Sequence, residues 1–178
     1  MDRIINWGAW CGLAGGALRV ATSFIAWQAG NAWLEALYAA TDIAMLFALI
    51  AIGLAASPEL GRVGFAAWAI ATAALASIVG PDPVEFGVDF YRLGAGVFVL
   101  ALGAMAAILL ARRTLRLAAG LWLASALAAL LSGATGSPLA FGAAGLVLGL
   151  GFIAAGRAML GHHVPAKAGT QDYEEQRL

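Results

Sequence analysis

Apolar residues in this chain come in long continuous runs, and polar residues gather in the short gaps between them. Six runs stand out: Trp7–Ala29, Ala36–Ala56, Val63–Gly80, Leu93–Ala111, Leu115–Ser132 and Leu139–Leu160. Each reaches or approaches the roughly 20 residues that a helix needs to cross a hydrocarbon core about 30 Å thick. The gaps have local causes. Ser57-Pro58 ends the second run, because proline has no N–H and disfavours helix at its predecessor. Gly80-Pro81-Asp82-Pro83 ends the third run and Arg112-Arg113-Thr114 the fourth. The stretch 132–138 divides a charge-free segment, Leu117 to Gly156, that is too long for one span. Continuous Ala/Leu-rich runs without period-two alternation predict helices, not the closed barrel that is the other way across a membrane. The expected fold is all-α: a polytopic transmembrane six-helix bundle over residues 1–160, followed by a polar, loosely ordered tail over 161–178.

Composition strengthens this picture. The 178 residues are 62% hydrophobic and only 11% charged, and the mean hydropathy is +0.88. A soluble domain carries about 25% charged residues, so the solvent for this surface is the lipid bilayer. Net charge is zero and there is no basic stripe, which argues against nucleic acid as a partner. Cys11 is the only cysteine, and it reads as a small packing residue. The first run is longer than a signal-peptide core and contains Arg19, so it is expected to remain as an anchor.

The loops give an orientation. With six crossings, the N-terminus, the 57–62 and 112–116 loops and the tail lie on one side. That side holds Arg3, Arg62, Arg112, Arg113, Arg116, Arg157, Lys167 and Arg177, against Arg92 alone on the other. The positive-inside rule then predicts a multi-pass protein of the plasma (inner) membrane with both termini in the cytoplasm. In the tail, Val164-Pro165-Ala166-Lys167-Ala168-Gly169-Thr170-Gln171 resembles peptides translated from short palindromic repeats in some bacterial genomes. That resemblance implies a bacterial source and carries no function.

Two charges interrupt the first two runs. Arg19 lies eleven residues before Gly30 and Asp42 lies eleven after Asn31, so a membrane hairpin would set them at one depth. A lone charge near the bilayer centre costs roughly 2.5–3.5 kcal/mol on insertion scales, which makes pairing the natural expectation. Gly8, Gly12, Gly16, Arg19 and Ser23 share one helical face, and Glu35, Tyr38, Asp42, Met45, Leu49 and Gly53 share another. The two faces are expected to meet, with Arg19 touching Asp42 and with Tyr38, Ser23 and Glu35 completing an intramembrane polar cluster. Such a pair is either a staple between helices or a gating or binding site.

A second cluster falls in the outer loop, where Asp82, Glu85, Asp89 and Arg92 follow one another closely. Asp82 before Pro83, with Glu85 at the third helical position, predicts a capped helix start. It reads as an interfacial element or as a cation or partner site. His162-His163 are the only histidines and cannot alone form a haem or zinc site. Gly145-x-x-x-Gly149 is a small-residue packing motif of low specificity, and Trp7, Trp10, Trp27 and Trp33 read as interfacial anchors. There is no phosphate-binding glycine loop, serine elbow or cysteine pair.

The residues therefore predict no cofactor, no metal and no catalytic group. The leading expectation is a non-enzymatic accessory or interaction subunit whose Arg19–Asp42 pair fixes the bundle. Its partners would be lipid and another membrane protein, or a second copy meeting through small-residue helix faces. The alternative is a small permease or ligand-binding sensor built on Arg19, Tyr38 and Asp42.

Overall fold

Asn31 starts the longest helix of the protein, its side chain accepting a hydrogen bond from the Leu34 N–H at 3.3 Å. The computed structural model describes residues 2–25, 28, 30–79, 84–85 and 88–162. Its elements are α1 (Asp2–Thr22), α2 (Ala32–Ser77), β1 (Val84–Glu85), β2 (Val88–Asp89), α3 (Phe90–Ala111), α4 (Arg116–Thr135) and α5 (Pro138–His162). The expected tail falls outside the described residues from 163 onward, while Gly161 and His162 complete α5.

Among the described residues the helix count is five, not the expected six, because the second and third runs join into α2. That element is nevertheless not straight. Gly61 has φ 59 and ψ −170, a conformation that only glycine adopts readily. Just before it, Pro58 cannot donate to the Leu54 carbonyl, and the Ser57 hydroxyl donates there instead at 3.2 Å. The consequence is a reversal. Trp68 Nε1 donates to the Leu49 carbonyl at 2.8 Å, although nineteen residues of straight helix would part them by about 28 Å. The Trp68 ring lies on Gly53, where a methyl group would collide with it. Residues 32–60 and 62–77 are therefore antiparallel arms.

The other ends match the local chemistry. Gly136 closes α4 in the left-handed conformation (φ 67), and Pro138 opens α5 at a position where its missing N–H costs nothing. The expected helix start at Asp82–Pro83 lies outside the described residues. Directly after it the chain is extended, not helical: β1 pairs antiparallel with β2, Glu85 opposite Val88. The β-branched Val84 and Val88 favour extended backbone here. The N-cap of α3 is Asp89, which accepts from the Arg92 N–H at 2.9 Å. The start of the first run is also shifted: α1 begins at Asp2 and ends at Thr22, short of Ala29.

Each helix packs against its neighbours in sequence, and α5 returns to pack against α1, closing a ring. Trp122, Phe152, Met45, Leu49, Ile52, Leu75, Leu102, Met105 and Leu109 fill the interior, with Trp122 edge-on to Phe152 at 5.4 Å. Outside, Leu139 is 86% exposed, Phe24 75%, Val63 74% and Leu117 70%. A soluble monomer does not display such a surface. Among the described residues four helices, α2, α3, α4 and α5, are long and apolar enough to cross a membrane. The chain is a multi-pass membrane protein, a helical bundle bathed in lipid.

Candidate functional site

The polar residues of the first hairpin are held by glycine contacts on two sides of α1. Toward α2, Gly8 meets Ala51, Gly12 comes near Ala48, and Gly15 faces Ala44 and Met45. Toward α5, a methyl on Gly16 would lie 2.5 Å from the Gly149 carbonyl oxygen, and one on Gly156 would lie 2.6 Å from the Ala9 carbonyl oxygen. Gly145 and Gly149 are thus the seat of α1 on α5. The expected single face of α1 is split: Gly8 serves α2, Gly16 serves α5 and Gly12 lies between them, while Gly15, outside that face, also serves α2.

This register brings Arg19, in the last turn of α1, level with the third turn of α2. Asp42 is 6% exposed there, beside fully buried Thr41. Arg19 is within electrostatic reach of Asp42, yet the two form no ion pair at 4 Å or less; among the described residues the ion pair present is Arg92–Asp89. The direct contact expected from the sequence is therefore absent. The Arg19 side chain instead lies against α5. The guanidinium runs over Gly145 of α5, where a methyl would stand 3.2 Å from Nη2 and 3.4 Å from Nε. Arg19 Nε is buried there without a hydrogen-bond partner.

The neighbouring hydroxyls are directed at backbone. Thr22 and Ser23 both donate to the Arg19 carbonyl, at 3.1 and 2.8 Å. Tyr38 reaches across from α2 and donates to the Thr22 and Ile25 carbonyls, at 3.1 and 3.2 Å. It satisfies acceptors that the end of α1 leaves open. Thr41 donates to the Leu37 carbonyl at 2.8 Å. Glu35 is in the first turn of α2, about 10 Å along the axis from Asp42, where its charge suits the helix dipole. The structure thus assembles Arg19, Ser23, Tyr38 and Asp42, adds Thr22, Thr41 and Gly145, and leaves Glu35 at the margin. Thr41 was visible as the neighbour of Asp42; Gly145 was visible only as half of a packing motif.

The outer-loop cluster is only partly open to description. Asp82 lies outside the described residues and the Glu85 side chain is likewise not described. Asp89 and Arg92 form an ion pair at 3.1 Å, with Arg92 87% exposed. An exposed pair at this spacing contributes a few tenths of a kcal/mol at most. Among the described residues no three His, Cys, Asp or Glu side chains converge as metal ligands.

No protein-family model matches the chain, and no curated protein or solved structure is detectably similar to it.

Proposed function

We propose that this chain is a non-enzymatic, six-crossing protein of a bacterial plasma membrane, acting as an accessory or interaction subunit, with Arg19 and Asp42 as an electrostatic lock between α1 and its neighbours. The crossings are α1, the two arms of α2, α3, α4 and α5. The observation that carries the reading is the direction of the hydroxyls. Thr22, Ser23, Tyr38 and Thr41 all donate to backbone carbonyls of the first hairpin. A solute site near the midplane needs several polar groups that turn their hydrogen-bonding capacity toward one space, whereas the hydroxyls assembled here donate to backbone carbonyls. Opposite charges held close but apart resist separation of the helices without a directional bond. The arginine-rich end faces the cytoplasm, in keeping with the positive-inside rule.

A second reading rests on one specific observation, the unpartnered Arg19 Nε beside a buried carboxylate. A bridging ligand would satisfy both, as in a sensor or permease. Thermal unfolding of the reconstituted protein, with small carboxylates, amines and amino acids added in turn, separates the two. The lock requires no stabilisation by any of them. A solute at 100 times its dissociation constant would add about 2.7 kcal/mol. Such a gain, abolished by Asp42→Asn, would move the assignment to the sensor or permease.

A further inference from the structure

The antiparallel order of the ring gathers Arg3, Arg62, Arg112, Arg113, Arg116 and Arg157 at one end of the bundle, all exposed. None of these six is in an ion pair among the described residues, where the pairing of Arg92 with Asp89 is at the opposite end. Among the described residues the acids at the arginine-rich end are Asp2 and Glu59. Every described cation there is arginine, whose planar fork matches a phosphate better than a lysine ammonium does. On α1 this end carries an open depression of about 550 Å³ lined by Arg3, Asn6, Trp7 and Trp10. That volume falls within the roughly 300–1,000 Å³ of small-ligand sites. Trp7 is 73% exposed and Trp10 57%, on the surface that α1 turns away from α2 and α5. The spacing of Arg3, Asn6, Trp7 and Trp10 is that of one helical stripe. From the end of the helix inward it runs cation, amide, indole, indole.

We propose that this stripe is a seat for the headgroup of an anionic phospholipid in the leaflet facing the arginine-rich end. The order of groups matches the order of a lipid. Arg3 meets the phosphate, and the Asn6 amide and an indole N–H donate to phosphate or ester oxygens. The indole rings then lie along the upper acyl chains, at the depth tryptophan prefers. The remaining arginines raise the local concentration of anionic lipid around the seat. A soluble acidic partner would use the cations but not two tryptophans at acyl depth.

The test uses the full chain purified in mixed micelles of phosphatidylglycerol and phosphatidylcholine in equal parts, with retained lipids counted by native mass spectrometry. Phosphatidylglycerol should be retained preferentially. Arg3→Gln should cut the preference about fivefold, the worth of one basic side chain at an anionic surface. Trp7→Leu with Trp10→Leu should also lower it, and Arg92→Gln, at the opposite end, should leave it unchanged. Arg3 is exposed near the start of α1, so its loss does not threaten the fold, and unchanged thermal unfolding of Arg3→Gln verifies this. Equal retention of the two lipids overturns the proposal, as does a preference that survives Arg3→Gln. Binding of free glycerol phosphate with the same dependence on Arg3 overturns it too, by assigning the seat to a soluble phosphate ester.

Discussion

Gly16 of α1 and Gly149 of α5 touch backbone to backbone: a methyl on Gly16 would fall 2.5 Å from the Gly149 carbonyl oxygen, and one on Gly149 would fall 2.6 Å from the Gly16 oxygen. Small residues drive helix association in lipid because they let backbones approach, where dispersion and weak Cα–H···O contacts accumulate. Gly16→Ala and Gly149→Ala should each lower stability by about 1–3 kcal/mol, the usual cost of overpacking. Gly120, in α4, has open space where its side chain would be. Gly120→Ala should be neutral or stabilising by up to about 1 kcal/mol through helix propensity. Thermal unfolding in detergent measures all three. Equal effects at Gly120 and Gly149 would mean that α1 does not dock on α5.

The reversal inside α2 can be tested at both of its supports. Gly61→Ala should cost about 1–3 kcal/mol, because φ 59 with ψ −170 is closed to residues with a side chain. Trp68→Phe removes the donor to the Leu49 carbonyl and should cost about 0.5–1.5 kcal/mol while leaving the ring packing in place. Losses in both, read as midpoints of unfolding, are the expected result. A stable Gly61→Ala variant would mean that α2 runs on without turning back.

Much of the first hairpin was legible in the sequence, and the reasons are specific. The distance of Arg19 and Asp42 from Gly30-Asn31 predicted their common depth, and the observed opposition of Gly8 to Ala51 and of Gly15 to Ala44 agrees with that register within a residue or two. Register follows from loop position alone. The direction of the Arg19 side chain does not, since it depends on Gly145, more than a hundred residues away on a helix that no local pattern places beside α1. The same holds for Tyr38: its face was readable, its backbone acceptors were not. At the outer loop the proline and carboxylates of Pro81–Glu85 favoured a helix start, while Val84 and Val88 favoured strand pairing. Local propensities conflicted, and pairing prevailed.

Topology follows from the two arms of α2. Reporter fusions after Arg62 and Arg116 should report the cytoplasm, and fusions near Asn31, Gly87 and Gly136 the opposite side. Activity of a cytoplasmic reporter at Gly87 would remove one arm from the membrane and end the six-crossing proposal.

Gly145 should matter because of Arg19. A methyl there would lie 2.8 Å from Ser23 Oγ and 3.2 Å from Arg19 Nη2. Gly145→Ala is expected to destabilise the wild-type chain by about 1–3 kcal/mol and to cost less in an Arg19→Ala background, where the space is free. Identical losses in both backgrounds would place the guanidinium elsewhere.

The charge pair itself can be decided by a double-mutant cycle. Asp42→Ala leaves Arg19 charged in low dielectric without a counter-ion, and should lower folded yield clearly more than Leu130→Ala, a truncation at a side chain 53% exposed to lipid. Arg19→Leu should be damaging for the converse reason. Because the two groups interact across a gap without a direct bond, their coupling should fall within about 0.5–3 kcal/mol. The double change to leucine removes both charges and should recover much of the loss, since a buried pair is often replaceable by apolar groups of similar volume. Additive losses with no recovery would show that Arg19 and Asp42 do not influence each other, and the lock would fall. Recovery of folding together with loss of partner binding would assign the pair a role beyond stability. Full recovery of both would leave the lock as its whole function.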